Sequence, residues 1–139
     1  MSAMDLIKSM MVAASGLKAQ SGRMRIIAEN IANADSTGNT PGADPYRRKI
    51  VTFEDTLDRQ MGVDKVKLGR PETDKSDFKL KYMPDHPAAN ADGYVKFPNV
   101  NGMVEAMDMR EAQRSYEANL NIIQASRRMI SQTIDILRG

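Results

Sequence analysis

The chain has 139 residues, close to the modal length of a single domain, with no tryptophan, four tyrosines and three phenylalanines against eleven methionines. Its net charge of +2 is the balance of 20 basic and 18 acidic side chains spread along the chain, so it lacks the one-signed basic face that nucleic-acid binding requires. The absence of cysteine excludes disulfides and thiolate metal sites, and the longest apolar run, residues 10–14, is far short of the roughly 20 residues of a membrane span.

From the N-terminus, Ser2 and Asp5 have the spacing of a capping box. A helix is predicted from there to about Asn33. Its positions Ala3, Ile7, Met10, Ala14, Leu17, Ser21, Met24, Ala28 and Ile31 alternate steps of four and three, and only Ser21 is polar. That period of roughly 3.5 is the one with which a helix packs along another helix. Gly16 and Gly22 lie inside it, each at a cost of about 1 kcal/mol relative to Ala. They are either tolerated helix glycines or points of close approach by a neighbouring helix. Asn33 stands where the helix must stop, able to turn left-handed or to bond the trailing carbonyls. The start has no basic segment, apolar core and small-residue cleavage site, so export, if it occurs, is expected to leave the N-terminus intact.

Residues 34–45 are rich in Gly, Pro, Asn, Asp and Ser and read as a loop of defined conformation. Residues 46–53 read as a strand, with weaker alternation at Val63–Leu68, residues 78–82 and Tyr94–Phe97. A hairpin or a three-stranded element is expected, with residues 84–92 as loop. Asn101 is the plausible N-cap of a second helix running to about Arg138. Its periodic positions are Ala106, Met109, Gln113, Tyr116, Leu120, Ile123, Arg127, Ile130, Ile134 and Leu137.

The predicted fold is mainly α, with the N- and C-terminal helices pairing as a coiled coil. Residues 1–33 and 101–139 form the helical domain, and residues 34–100 form loop and a small β-hairpin-like element. Polar residues within the helices (Asn30 and Asn33, then Gln113, Arg114, Ser115, Asn119, Asn121 and Gln124) are either an exposed face or hydrogen-bonding contacts between subunits. The two seams and the sparse aromatic core favour contacts between subunits. The interface candidates are Leu17, Met24, Asn30, Ile31 and Asn33 on the first helix, and Tyr116, Leu120, Ile123, Ile130, Ile134 and Leu137 on the second. For chemistry the chain offers little: His86 is a lone loop histidine, and Glu72, Asp74 and Asp77 flank Lys75 as in a solvated loop. No catalytic, cofactor-binding or metal-binding constellation emerges, and no cofactor is expected.

Residues 14–17 (Ala-Ser-Gly-Leu), Ala19-Gln20 and residues 29–37 (Glu-Asn-Ile-Ala-Asn-Ala-Asp-Ser-Thr) resemble the N-terminal signature of bacterial flagellar rod and hook proteins. Residues 38–49, 93–101, 107–109 and 114–119 strengthen that resemblance, and they point to the short proximal-rod members of the family. The similarity covers about residues 10–53 and 93–138, while residues 54–92 carry no recognised motif. It implies a structural role in the basal-body rod, where copies stack helically around a hollow shaft that transmits torque and passes exported subunits. It further implies self-association, contact with the rod proteins FlgB, FlgF, FlgG and FliE, no nucleic acid and no membrane insertion. Passage through the flagellar type III export apparatus without a cleaved signal peptide is also implied. That apparatus is thought to read an aromatic followed four residues later by an apolar residue, a spacing met by Phe53 and Leu57. A soluble helical adaptor or chaperone forming a discrete oligomer is the alternative, though it would not need the loop and strands between the helices.

Overall fold

A computed structural model describes all 139 residues. Helix α1 (Ala3–Ala32) is followed by six short strands: β1 (Lys49–Ile50), β2 (Phe53–Asp58), β3 (Val63–Leu68), β4 (Glu72–Thr73), β5 (Lys79–Tyr82) and β6 (Tyr94–Phe97). Helix α2 (Gly102–Arg138) closes the chain. The strands form three separate antiparallel pairs, β1 with β4, β2 with β3 and β5 with β6. The chain gathers into two compact units, each drawing on both helices. One comprises Met1–Met24, Thr52–Gly69 and Arg110–Gly139; the other comprises Arg25–Val51 and Arg70–Met109.

Both helix starts are capped as their residues dictate. Ser2 Oγ accepts from the Asp5 amide, and the Asp5 carboxylate accepts from the Ser2 amide, each at 3.2 Å. Asn101 Oδ1 accepts from the amide of Met103 at 3.0 Å. At the end of α1, Asn33 Nδ2 donates to the Glu29 carbonyl at 2.9 Å, so it bonds a trailing carbonyl. It does not turn left-handed, since no non-glycine residue has a positive φ.

The expected strand over residues 46–53 does not form as one piece. Only Lys49 and Ile50 pair, with Thr73 and Glu72; β2 begins separately at Phe53 and runs on to Asp58. One asparagine side chain claims the amide that would carry the ladder a pair further, and another holds the outward-facing amide of Lys49. Arg48 N donates to Asn99 Oδ1 and Lys49 N to Asn30 Oδ1, at 2.8 and 2.9 Å.

In the first unit, the β2–β3 hairpin runs in register from Phe53↔Leu68 to Asp58↔Val63. Its Val66 amide donates to Ser15 Oγ of α1 at 3.1 Å. Arg23 carries an ion pair to Glu111 at 3.6 Å and lies 6.0 Å from the centre of the Phe53 ring. Both helix glycines are points of close approach. A Cβ on Gly16 would stand 2.6 Å from Asn119 Nδ2 of α2, and one on Gly22 would stand 2.8 Å from Leu68 Cδ2. The neighbour at Gly22 is therefore a strand rather than a helix. In the second unit the apolar core is small: Ala88, Val95 and Phe97, with Ala89 against them.

The buried line of each helix is not the apolar seam. On α1 it passes through Leu6, Ala13, Ile27 and Asn30, with Gly16, Gln20 and Arg23 half-buried between and Ala19 and Ile26 buried beside it. That line is one residue, about 100° of helical turn, away from the predicted series. On α2 it passes through Glu105, Ala112 and Ser126, with Asp108, Ser115 and Asn119 half-buried. Of the predicted series, Met109, Tyr116, Ile123 and Ile130 are half-buried and the rest are exposed. Within the chain α1 buries aliphatic, small and polar side chains and α2 chiefly small and polar ones, while most of the predicted seam stays at the surface.

Gly16→Val is expected to destabilise the chain by about 1–3 kcal/mol through overpacking against Asn119, although valine is the better helix residue. Chemical denaturation of Gly16→Val with and without Asn119→Ala checks this. The second change should restore most of the loss, and equal loss in both backgrounds would separate the effect from that contact.

Candidate functional site

The second unit is organised by a buried polar network. Asn30 on α1 is 1% exposed and Glu105 on α2 is 1% exposed, yet both are polar, and an unpaired buried polar group is costly. Their partners explain the burial. Asn30 Oδ1 accepts from the Tyr46 hydroxyl at 2.7 Å and from Lys49 N at 2.9 Å, and Asn30 Nδ2 donates to the Lys49 carbonyl at 2.8 Å. One side chain thereby fixes the segment entering β1. Glu105 Oε1 accepts from Arg48 Nε at 2.5 Å. The same guanidinium reaches Asp74 at 3.4 Å and Asp108 at 3.6 Å.

Arg48 thus gathers three carboxylates from the chain before β5 and from the first turns of α2. Burial alone would lower its pKa, but the hydrogen bonds and charges of Glu105 and Asp74 outweigh that and hold the guanidinium more firmly protonated than usual. Arg47 completes the frame from the same segment. It donates to the carbonyls of Asp74 at 2.8 Å and Ser76 at 3.0 Å, and it stacks 4.1 Å from the centre of the Phe78 ring. Asn99 Nδ2 donates to the Asp74 carbonyl at 3.0 Å. The Asp74 carboxyl is held below its usual pKa, first by the Ser76 backbone amide and hydroxyl and then by Arg48.

The residues raised as chemical candidates are spent on structure. His86 Nδ1 accepts from the Ala88 amide at 3.0 Å, and its Nε2 lies 3.4 Å from Thr37 Oγ1. Asp74 belongs to the Arg48 cluster. The interface candidates divide. Asn30 has its polar atoms committed within the chain, and Asn33 is occupied by Glu29 and Ser36. Leu17, Met24 and Tyr116 are half-buried, whereas Ile31, Leu120, Ile134 and Leu137 are exposed, Leu137 to 82%. Ile123 and Ile130 join Ile7, Met10, Met11 and Ala14 around an open apolar groove in the first unit. Phe53 and Leu57 are exposed on β2, at 42% and 58%.

Tyr46, Arg48, Asn99 and Glu105 escaped the sequence reading as a group. Arg48 stands in the basic run of residues 47–49 within a segment of strand composition, and Glu105 is a first-turn acid that suits the helix dipole. The one usable signal is that Glu105 precedes Ala112 by seven residues on a line of small and polar side chains.

Two family models match the chain: "Flagella basal body rod protein" over residues 10–43 and "Flagellar basal body rod FlgEFG protein C-terminal" over residues 91–136. Among curated proteins, the flagellar basal-body rod protein FlgC of Agrobacterium fabrum is 55% identical over 128 residues, covering 92% of each chain. FlgC of Borreliella burgdorferi is 40% identical over 98% of this chain and 100% of its own. FlgC of Salmonella typhimurium is 36% identical over 96% and 98%.

Asn30→Ala is expected to cost about 2–3 kcal/mol, because the Tyr46 hydroxyl and the Lys49 amide lose their acceptor, and Tyr46→Phe about 1 kcal/mol. Denaturation midpoints check both. The depressed pKa of Asp74 gives a stabilisation that is complete above about pH 4, the usual aspartate value, and lost as pH falls through the lower folded value. Acid titration followed by NMR should release residues 70–78 before α1 melts.

Proposed function

The chain belongs to the FlgC family of flagellar basal-body rod proteins, a structural component of the rod and not an enzyme, and we propose that its exposed apolar seam is the surface on which subunits pack. The observation carrying this is the split between two helix faces. Leu6, Ala13, Ala19, Ile26, Ile27 and Ala112 are buried within the chain together with Asn30, Glu105 and Ser126, while Ile7, Ile31, Leu120, Ile134 and Leu137 lie exposed. Residues 1–33 and 101–139 then form the helical layer of the assembly, paired between neighbours in the manner of a coiled coil. The Asn30–Arg48–Glu105 network holds the intervening segment in a set position. Copies stack helically, through non-closing contacts, around the hollow shaft that transmits torque and passes exported subunits. A continuous seam suits that load, since it spreads force over many small van der Waals contacts.

The remaining partners follow from the same family reading. The chain meets other rod proteins, FlgB, FlgF, FlgG and FliE, and travels through the type III export apparatus with its N-terminus uncleaved. No helix is long and apolar enough to cross a membrane. Phe53 and Leu57 stand exposed on one face of β2, where an export receptor could read them.

Ile134→Asp and Leu137→Asp test the seam at positions already in water in the single chain. Folding stability should change by no more than about 0.5 kcal/mol, as for surface substitutions in general. Export should continue, while motility and rod incorporation are lost. Normal swimming in both variants would remove this face from the account.

A further inference from the structure

Each two-stranded pair has two outer edges, and not all of them are covered. In the β2–β3 hairpin the Gly69 amide bonds the Thr52 carbonyl at 2.8 Å. With the pairing Phe53↔Leu68, positions 54, 56 and 58 face the partner strand, and the backbone groups of 53, 55 and 57 point away from it. On the β3 side, the outward Val66 amide is taken by Ser15. On the β2 side, no hydrogen bond covers Phe53, Asp55 or Leu57, and residues 53–57 are all exposed. The β5–β6 pair repeats the pattern. Met83 N bonds the Gly93 carbonyl at 2.9 Å, which turns the backbone groups of Leu80 and Tyr82 outward, and all four residues of β5 are exposed.

The two open edges have opposite charge. Strand β2 carries Glu54, Asp55 and Asp58 and no base, whereas β5 carries Lys79 and Lys81 and no acid. Each also exposes apolar side chains, Phe53 and Leu57 on one and Leu80 and Tyr82 on the other. Uncovered edges of this kind are templates for another strand.

We propose that β2 of one copy pairs antiparallel with β5 of the next copy, by strand addition. The register sets Leu57 opposite Leu80, Asp55 opposite Tyr82, Thr56 opposite Lys81 and Asp58 opposite Lys79. It matches outward backbone groups to outward backbone groups. It also places the apolar side chains on one face and Glu54 with Lys81 on the other, Asp58 and Lys79 being held by Lys65 and the Val100 carbonyl of their own chain. Because the two edges differ, the contact is heterologous and does not close on itself. The inference rests on the reading that copies assemble, and it names one contact of that assembly.

The chain has no cysteine, so crosslinking is clean. In this register Thr56 and Lys81 form a non-hydrogen-bonded pair with Cα atoms about 4.5 Å apart, within disulfide reach. Full-length chain carrying Thr56→Cys and Lys81→Cys is expressed in motile cells, and basal bodies are isolated, oxidised and run without reductant. The expected result is a ladder in steps of the 15.4 kDa chain that collapses on reduction. The pair Asp55→Cys with Tyr82→Cys should give the same ladder. Co-expressed single variants should give only the mixed dimer. Asp55→Pro removes one outward amide and leaves the hairpin's own ladder intact; in the Thr56→Cys/Lys81→Cys chain it should abolish the crosslink. A chain incorporated normally but yielding no ladder from either pair overturns the strand pairing alone. So does a homodimer from Thr56→Cys by itself, or a crosslink to a different subunit. Absence of the unmodified chain from basal bodies would instead contradict the assembly reading beneath it.

Discussion

The buried carboxylate of Glu105 is the constraint around which the second unit is arranged. Removing one charge from water costs several kcal/mol even after relaxation, and breaking a buried ion pair costs about 3–5 kcal/mol. The chain meets this by bringing Arg48 onto the carboxylate and surrounding that guanidinium with Asp74 and Asp108. The Arg48 carbonyl still accepts from the Asp74 amide at 2.8 Å. Asn99 and Asn30 hold the segment from its other side, accepting from the amides of Arg48 and Lys49. The short β1, the position of residues 72–76 and the first turn of α2 follow from the same cluster. A single aliphatic replacement would not reproduce this, because apolar contacts do not specify direction.

The helices solve a second problem, the choice of which face to bury. Long helices with an apolar seam gain most by covering that seam, yet the chain buries a neighbouring line that mixes Leu6, Ala13 and Ile27 with Asn30, Glu105 and Ser126. Small side chains permit close approach, as at Gly16 and Asn119. On the proposed reading, the exposed apolar groups of the seam serve contacts between subunits. In a monomer this arrangement sacrifices hydrophobic stabilisation at roughly 25 cal/mol per Å² of apolar surface left in water. In a rod subunit the same surface is stabilising once neighbours cover it. Methionine suits the seam, since its flexible thioether accommodates neighbours of differing shape.

The legible parts of the sequence were those governed by local rules. The capping residues Ser2, Asp5 and Asn101, the helix stop at Asn33 and the extents of both helices depend on hydrogen bonds within a few residues, and each stands where the sequence places it. Strand pairing was less legible. Residues 46–53 have strand composition, but a residue far away in the sequence, Asn99, takes the Arg48 amide that would extend the ladder. The Arg48 cluster was hidden for the same reason: each member alone resembles an ordinary surface charge, and only the fold brings residues 48, 74, 105 and 108 together. The seam was visible as a pattern, but periodicity marks an apolar face without saying whether the same chain or its neighbour covers it.

Hydrogen exchange on the full chain, free in solution and within isolated basal bodies, tests that division between internal and external faces most directly. Slow exchange is predicted for the amides of Arg48, Lys49 and Glu105 in both states, because their bonds are made within the chain. Residues 120–137 should exchange quickly in the free chain and gain strong protection only in the rod. If residues 120–137 were as protected in the free monomer as in the rod, the seam would not be waiting for a neighbouring subunit, and the account would be contradicted.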